Sequence, residues 1–200
     1  MDRISTRRRT HLLLLAAAGL AVLSMTGLGM SLAIFTAQAT VPSNTFTAGT
    51  VSITTDHTAS AVVTFGNMAP GDQITNPLLV TNNGSLALRY AISSVATNAD
   101  TKGLKDQLVL TIKSGVTTCT TAGFAASGTI LYTGDLDATS PGNLIGDPTS
   151  GADAGDRTLG PSIGETLCWN VRLPIGTGHT FQGATTTATF TFAAEQTANN

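Results

Sequence analysis

The sequence predicts an all-β protein, a β-sandwich of jelly-roll type preceded by an N-terminal signal helix. Beyond residue 34, Thr, Val, Ala and Gly dominate, and only 11% of the whole chain is charged. No apolar run with helical spacing reaches three turns there, whereas several short runs alternate with a period of two residues. Each alternating strand has one apolar face, so a second sheet is required to bury those faces.

The first element is a leader over residues 1–34. Its first eleven residues contain four arginines, and the 23 residues from Leu12 to Ile34 carry no charge. This pattern is typical of a secretory signal peptide. As a helix these 23 residues would extend about 34 Å, which is long enough to cross a bilayer. We expect contact with the membrane only through a leader that is not cleaved. Twin-arginine export from Arg7–Arg9 is a less favoured alternative.

Cleavage is expected towards the end of the apolar run, where small residues suit a signal peptidase. The predicted cleavage region is Ala33, Ile34 and Phe35, and the small residues Ala37 and Ala39 are the alternative. The expected organisation is therefore a leader at 1–34, a candidate donor strand at 35–44 and the sandwich at 45–200.

The candidate donor strand alternates like a β-strand from its first residue. Phe35, Ala37, Ala39 and Val41 share one face, until Pro42 interrupts the pattern. Such a segment has an apolar face to fill a groove and backbone groups to pair with an open sheet edge. The alternatives are a disordered terminus or a strand that pairs within its own domain.

The strands of the sandwich are predicted from Thr residues that alternate with apolar residues. In the last strand, Phe190 and Phe192 are expected to face the core. The predicted strands are Phe46–Thr54, Val62–Phe65, Gln73–Thr81, Leu86–Thr97, Leu108–Lys113, Thr129–Thr133, Glu165–Leu173 and Ala184–Phe192.

Turn residues separate these strands. Pro precedes Gly in Ala69–Asp72, which predicts a type II turn, and Asn-Gly within Asn82–Ser85 predicts a hairpin. One helical turn is expected within Thr101–Leu108. The Gly-, Asp- and Pro-rich residues 134–155 indicate a long surface loop.

Two cysteines, Cys119 and Cys168, lie in the part expected to be exported, where a disulfide persists. We expect them to be paired; the alternative is two free buried thiols. An immunoglobulin-like sandwich is the competing architecture. Trp169 directly follows Cys168, however, and does not reproduce the immunoglobulin order, in which a Trp lies between the paired cysteines.

The charge balance excludes some functions. From Phe35 onward the chain has six basic and eleven acidic residues, a net charge of about minus five. Nucleic-acid binding requires clustered positive charge, so no nucleic acid is expected as a partner. No run of like charges indicates a membrane-surface patch.

The sequence offers few groups for catalysis. His57 and His179 lie far apart and outside any His-Glu-x-x-His motif, and the nucleophile elbow and the phosphate-binding loop are both absent. Glu165 and Glu195 do not have the spacing of an acid/base pair. We therefore expect neither an enzyme nor a cofactor.

One acidic cluster lies within residues 135–156. Asp147, Asp153 and Asp156 are its densest part, and carboxylates at this density can gather a hard cation such as calcium. Their spacing does not match a helix-loop-helix calcium site. The favoured interpretation is therefore a set of solvated turn residues.

Three longer stretches follow a leader that ends just before "FT". They are "NTFTAGTVSI", "FGNMAPGDQITNPLLVTNNGSLALRYAIS" and "GATTTATFTFAAEQTAN". Together with the leader, these stretches resemble the TasA/camelysin family of secreted bacterial proteins. The leader is similar to those processed by a dedicated signal peptidase of the SipW type.

The resemblance implies a jelly-roll subunit located in the extracellular matrix or on the cell surface, where TasA-like proteins build biofilm-matrix fibres. In those fibres the N-terminal strand of one subunit completes the sheet of the next, so the expected partner is a second copy of this chain. Camelysin-like relatives have been labelled surface metalloproteases, and a metal site at the two histidines and the Asp cluster is the alternative. A monomeric surface adhesin is the third possibility.

Overall fold

Short Thr- and Val-rich segments form nine strands in the part of the chain that the computed structural model describes, which is Thr45 and residues 47–58, 60–137 and 142–198. The strands are β1 (Ile53–Thr55), β2 (Gln73–Asn82), β3 (Leu88–Ala96), β4 (Val109–Ser114), β5 (Thr129–Gly134), β6 (Asn143–Ile145), β7 (Arg157–Leu159), β8 (Gly164–Arg172) and β9 (Ala188–Gln196).

The strands form two antiparallel sheets. Sheet A has the order β1-β2-β8-β4-β5. In sheet B, β3 pairs with β9 along its whole length and also pairs with the short strands β6 and β7. The chain crosses between the sheets five times, as expected for a sandwich with jelly-roll-type connections. The predicted all-β sandwich is confirmed.

The core lies between the sheets and follows the period-two pattern of the strands. On β2, Leu78 and Val80 are buried while Leu79 between them is exposed. The largest side chains that are fully buried come from β3, β4 and β8; they are Trp169, Tyr90, Leu88, Ile92, Leu110, Ile112 and Leu167.

Helix is confined to short turns among the described residues. Leu104–Asp106 forms a 3-10 turn, as predicted for Thr101–Leu108, and a second one spans His179–Phe181. Helix α1 (Thr121–Ala126) was not predicted. Its N-cap is Thr120, whose hydroxyl accepts a hydrogen bond from the Gly123 N–H at 3.2 Å.

The type II turn at Ala69–Asp72 is confirmed. The Asp72 N–H donates to the Ala69 carbonyl at 2.9 Å, and Gly71 has a φ of 100°, which this turn requires at its third position.

The hairpin predicted at Asn82–Ser85 is wrong. This segment connects β2 in sheet A to β3 in sheet B, so the two flanking strands do not pair with each other. Gly84 is not in the left-handed region. It is needed instead for close approach, because a Cβ there would lie 2.3 Å from the Thr50 carbonyl oxygen.

The strand predicted at Val62–Phe65 is also wrong. These residues have no ladder partner among the described strands, and the Phe65 side chain is 43% exposed. The Val62 carbonyl is held by a side chain instead, because it accepts a hydrogen bond from Asn76 Nδ2 at 2.8 Å. An alternating pattern makes a strand only where a neighbouring strand supplies hydrogen bonds.

Three other boundaries differ from the prediction. The last strand begins at Ala188 rather than Ala184, because side chains of Asp100 and Thr97 bind the N–H groups of Thr185 and Thr187 in place of a ladder. Of the first predicted strand only β1 is formed in the described residues. The predicted loop over residues 134–155 contains β6, which pairs with β3.

Candidate functional site

An open groove with a volume of about 570 Å³ lies along one side of the sandwich. Core side chains that include Ile74, Leu78 and Val171 form its floor. One wall is the irregular segment between β1 and β2, and the other is the beginning of β9 with the residues that precede it. The groove therefore opens directly onto the hydrophobic core.

The β9 wall presents aromatic side chains. Phe190 and Phe192 pack against the core, as predicted from the sequence, yet both are only partly buried because they also line the groove. Phe190 packs edge-on against Trp169 with ring centroids 4.7 Å apart, and Phe192 lies 6.2 Å from Tyr90. An apolar occupant of the groove would complete the burial of both rings.

Strand β9 is an edge strand. Among the strands that the structure describes, only β3 pairs with it. An edge strand presents unpaired N–H and C=O groups that can template another strand. The groove therefore combines an apolar floor with an open hydrogen-bonding edge.

The opposite wall contains the extended segment that lacks a ladder. Val62 is buried in the core, whereas Thr64 and Phe65 are exposed. The sequence signal for this wall is the run Val62–Phe65, whose pattern predicts an ordinary strand. Its role as a groove wall depends on contacts that no local pattern specifies.

The groove is nearly free of charge. His57 is the only titratable residue in the described lining, which contains no Asp, Glu, Lys or Arg. Its Nδ1 lies 2.7 Å from Asp56 Oδ1. Burial raises the pKa of Asp56, but hydrogen bonds from His57 and from the Leu79 N–H outweigh it and hold that pKa below its usual range. A neutral occupant fits this surface better than a charged one.

The predicted donor strand and cleavage region lie outside the described residues. This applies to Phe35, Ala37, Ala39 and Val41 and to the cleavage residues Ala33 and Ile34. Both therefore stay predictions.

The expected disulfide between Cys119 and Cys168 is formed. Cys168 is buried on β8, between Pro77 of β2 and Lys113 of β4 in the ladder. The bond ties the segment that contains α1 to sheet A. Neither cysteine is among the described residues that line the groove.

The acidic cluster is arranged as a set of turns. The carboxylate of Asp156 accepts hydrogen bonds from the N–H groups of Asp147 and Asp153, at 3.0 and 3.1 Å. Asp147 accepts hydrogen bonds from the N–H and the hydroxyl of Thr149. Both bonds lower the pKa of Asp147, and the bond from the N–H has the larger effect. These carboxylates cap backbone groups, as expected for turn residues.

The side chains that the structure describes are not grouped as a metal centre. In residues 47–58, 60–137 and 142–198, no three His, Cys, Asp or Glu side chains are grouped so that they would hold an ion. His57 is bound to Asp56, and His179 begins an exposed 3-10 turn. Glu165 and Glu195 are each paired with an arginine, Arg157 and Arg89 respectively.

The described helices are all short. None of them has the length and apolar character needed to cross a membrane.

Comparison with known proteins agrees with the resemblance seen in the sequence. Residues 11–108, about half of the chain, match the family model described as camelysin metallo-endopeptidase. This stretch runs from the leader to the start of β4 and includes β1, β2, β3 and the first wall of the groove. No curated protein matches the chain. The all-β sandwich and the family match together identify the chain as a member of the TasA/camelysin family.

Proposed function

We propose that this protein is a secreted structural subunit that assembles into extracellular biofilm-matrix fibres by strand addition. The N-terminal segment Phe35–Val41 of one copy enters the groove of the next copy and pairs with its open sheet edge. The observation that carries this proposal is the apolar, uncharged groove beside β9. Such a head-to-tail contact does not close into a ring, so it propagates as a fibre.

The energetics favour an apolar strand as the occupant. Phe35 and Val41 would be buried on entering the groove, and Phe190 and Phe192 would lose their remaining exposure. Each Å² of apolar surface removed from water contributes roughly 25 cal/mol before ordering costs. Main-chain hydrogen bonds along the edge would add to the affinity and set the orientation.

Removal of the leader would control when assembly starts. Before cleavage, Phe35 is continuous with the apolar leader that is expected to end at Ile34. A signal peptidase that cuts in the region Ala33–Phe35 would release the donor strand only outside the cytoplasm. N-terminal sequencing of the secreted product tests both the localisation and the cleavage site.

The fibre proposal is tested by removing the donor strand. The mature chain from Phe35 should form fibres in negative-stain electron microscopy, whereas a chain from Pro42 should remain a folded monomer. A matched pair of variants of the mature chain, each beginning at position 35, separates the strand's two faces. Phe35→Asp with Val41→Asp charges the apolar face and should abolish fibres, whereas Thr36→Asp with Thr40→Asp charges the other face and should not. Unchanged fibres in the chain from Pro42 would refute the proposal.

Under this proposal the protein is not an enzyme, although the family is described as a metallo-endopeptidase. The metalloprotease alternative predicts stoichiometric zinc in the purified mature protein and casein cleavage that chelation abolishes. Metal analysis together with a casein assay decides between the two functions. A monomeric adhesin would show neither fibres nor metal after correct cleavage.

A further inference from the structure

Two sheet edges border the groove, and the question is which of them pairs with an incoming strand. Strand β9 belongs to sheet B, and β2 of sheet A contributes Ile74 and Leu78 to the floor. We propose that the incoming strand adds to β9 and extends sheet B, and that β2 is blocked against pairing. This inference rests on the proposed function and specifies which edge receives the strand.

The open edge of β9 is identified by the direction of its backbone groups. Thr97 donates its N–H to the Thr187 carbonyl at 2.9 Å, and Thr197 donates to the Ala87 carbonyl at 3.1 Å. In an antiparallel pair, the residues that bond to one neighbour alternate with residues whose N–H and C=O point to the other side. The backbone N–H and C=O groups of odd-numbered residues of β9 therefore point towards β3, and those of even-numbered residues point towards the open edge.

Four residues on that edge are available for pairing. Ala188, Phe190, Phe192 and Ala194 point their N–H and C=O outward, and no described residue binds these N–H groups. The stretch Ala188–Ala194 contains no Pro, Lys or other residue that typically blocks an edge. It is seven residues long, the same length as Phe35–Val41.

The outer edge of β2 is blocked at Leu79. The Asp56 N–H donates to the Leu79 carbonyl at 3.2 Å, and Asp56 Oδ1 accepts from the Leu79 N–H at 3.0 Å. Asp56 thereby satisfies both backbone groups that an incoming strand would use.

The same alternation of backbone direction along β2 places a second obstacle to strand pairing at Pro77. Because Leu79 faces outward, Pro77, two residues earlier, also faces outward, and it has no N–H to donate. Only Gln73 and Thr75 are left with outward N–H groups on this part of β2. An incoming strand would meet two donors on β2 and four on β9.

Side-chain packing supports the same edge. Ala188, Phe190 and Phe192 point their backbone N–H and C=O groups towards the open edge, and their side chains point towards the core. Neighbouring strands in a sheet place paired side chains on the same face. A strand added to β9 with its Phe35–Val41 apolar face inward would therefore continue the core layer and cover the exposed parts of both phenylalanines.

Hydrogen exchange at single amides tests the choice of edge. Mature protein in fibres is compared with the mature chain that carries Phe35→Asp and Val41→Asp, which is expected to stay monomeric. In fibres, exchange should slow at least tenfold at the N–H groups of Ala188, Phe190, Phe192 and Ala194. Exchange at Gln73 and Thr75 should stay unchanged, and Thr189 and Thr191, which already bond to β3, should be protected in both samples.

A matched pair of proline variants tests the inference independently. Ala188 and Gln73 are the first residues of β9 and β2, and both point an N–H outward, so proline fits the start of each strand without breaking an existing ladder bond. Ala188→Pro should raise the protein concentration needed for fibre formation by about five- to tenfold, the equivalent of one lost hydrogen bond. Gln73→Pro should leave it unchanged, and emission from Trp169 verifies that each variant is folded.

The outcomes separate this inference from the proposed function. Fibres in which Gln73 and Thr75 become protected, or in which only Gln73→Pro impairs assembly, overturn the choice of β9 and leave strand addition intact. A mature chain that forms no fibres, or fibres in which neither edge gains protection, overturns both.

Discussion

Trp169 and Phe190 form a T-shaped aromatic pair with ring centroids 4.7 Å apart and an interplanar angle of 62°. Trp169 lies fully buried on β8 of sheet A, and Phe190 lies half-buried on β9 of sheet B. The pair therefore links the two sheets and connects the core to the groove. Since the chain contains a single tryptophan, its emission reports on the environment of Trp169, which includes this contact.

Truncation of Phe190 should destabilise the sandwich. We expect Phe190→Ala to lower the free energy of unfolding by about 2–3 kcal/mol, less than for a fully buried phenylalanine because the ring is partly exposed. Urea unfolding followed by Trp169 emission measures the loss. Phe65→Ala on the opposite wall is the control, and it should cost less than about 1 kcal/mol because Phe65 is 43% exposed. Equal losses in the two variants would contradict this account of the groove.

Asn82 should be essential for the connection between the sheets. It is fully buried, its Nδ2 donates to the carbonyls of Leu86, Leu159 and Gly160, and its Oδ1 accepts from the Gly84 N–H. Asn82→Ala leaves these buried groups unpaired.

We expect that substitution to cost about 2–4 kcal/mol in the free energy of unfolding, measured in urea. The exposed neighbour supplies a matched control, since Asn83 makes one side-chain bond, to the Thr54 hydroxyl. Asn83→Ala should cost no more than about 1 kcal/mol. A loss for Asn82→Ala as small as that of the control would show that the connection does not depend on Asn82.

Stability should fall at alkaline pH because of Tyr90. Its hydroxyl donates to Glu165 Oε1 at 2.6 Å, and Arg157 binds the same carboxylate across the sandwich. Burial, followed by the Glu165 carboxylate, raises the pKa of Tyr90 far above its ordinary value of 10.0. Above about pH 10 the unfolded chain loses the Tyr90 proton while the folded protein retains it.

The unfolded state then binds fewer protons, so the free energy of unfolding decreases as the pH rises, by up to about 1.4 kcal/mol per pH unit. The contribution is fully present below pH 10. Urea unfolding at several pH values between 8 and 11 measures this decrease in the free energy of unfolding, for the wild type and for the variants Tyr90→Phe and Tyr132→Phe. Tyr90→Phe should flatten the alkaline decline more than Tyr132→Phe, because Tyr132 is less buried. An unchanged decline in Tyr90→Phe would assign it to other groups.

Loss of the disulfide should destabilise the domain without altering the groove. Cys119 and Cys168 are 49 residues apart, and opening a loop of that length costs roughly 4 kcal/mol in the chain-entropy model. The double substitution Cys119→Ser, Cys168→Ser should lower the free energy of unfolding by about 3–4 kcal/mol in urea. Fibre formation well below the unfolding transition should persist. Loss of fibres in a variant that is still folded would connect this bond to assembly.

The sequence by itself determined the features that depend on local periodicity and turn chemistry. Alternation of Thr with apolar residues correctly predicted most strands and placed Phe190 and Phe192 towards the core, because side chains in a strand alternate between faces wherever the strand lies. The Pro-Gly turn at Ala69–Asp72 followed from backbone preferences. The disulfide followed from the expected compartment, since only two cysteines were available.

The tertiary structure alone decided which strands pair and which edge stays open. Asn82–Ser85 has the residues of a hairpin but crosses between sheets. Val62–Phe65 has the pattern of a strand but forms no ladder with any strand that the structure describes. Likewise, nothing in the alternation of Ala188–Ala194 distinguishes an edge strand from a central one. Whether a segment forms a paired strand depends on partners that are distant in sequence as much as on its local preference. For this reason only the folded arrangement shows that β9 borders the groove and that Asp56 and Pro77 block the outer edge of β2.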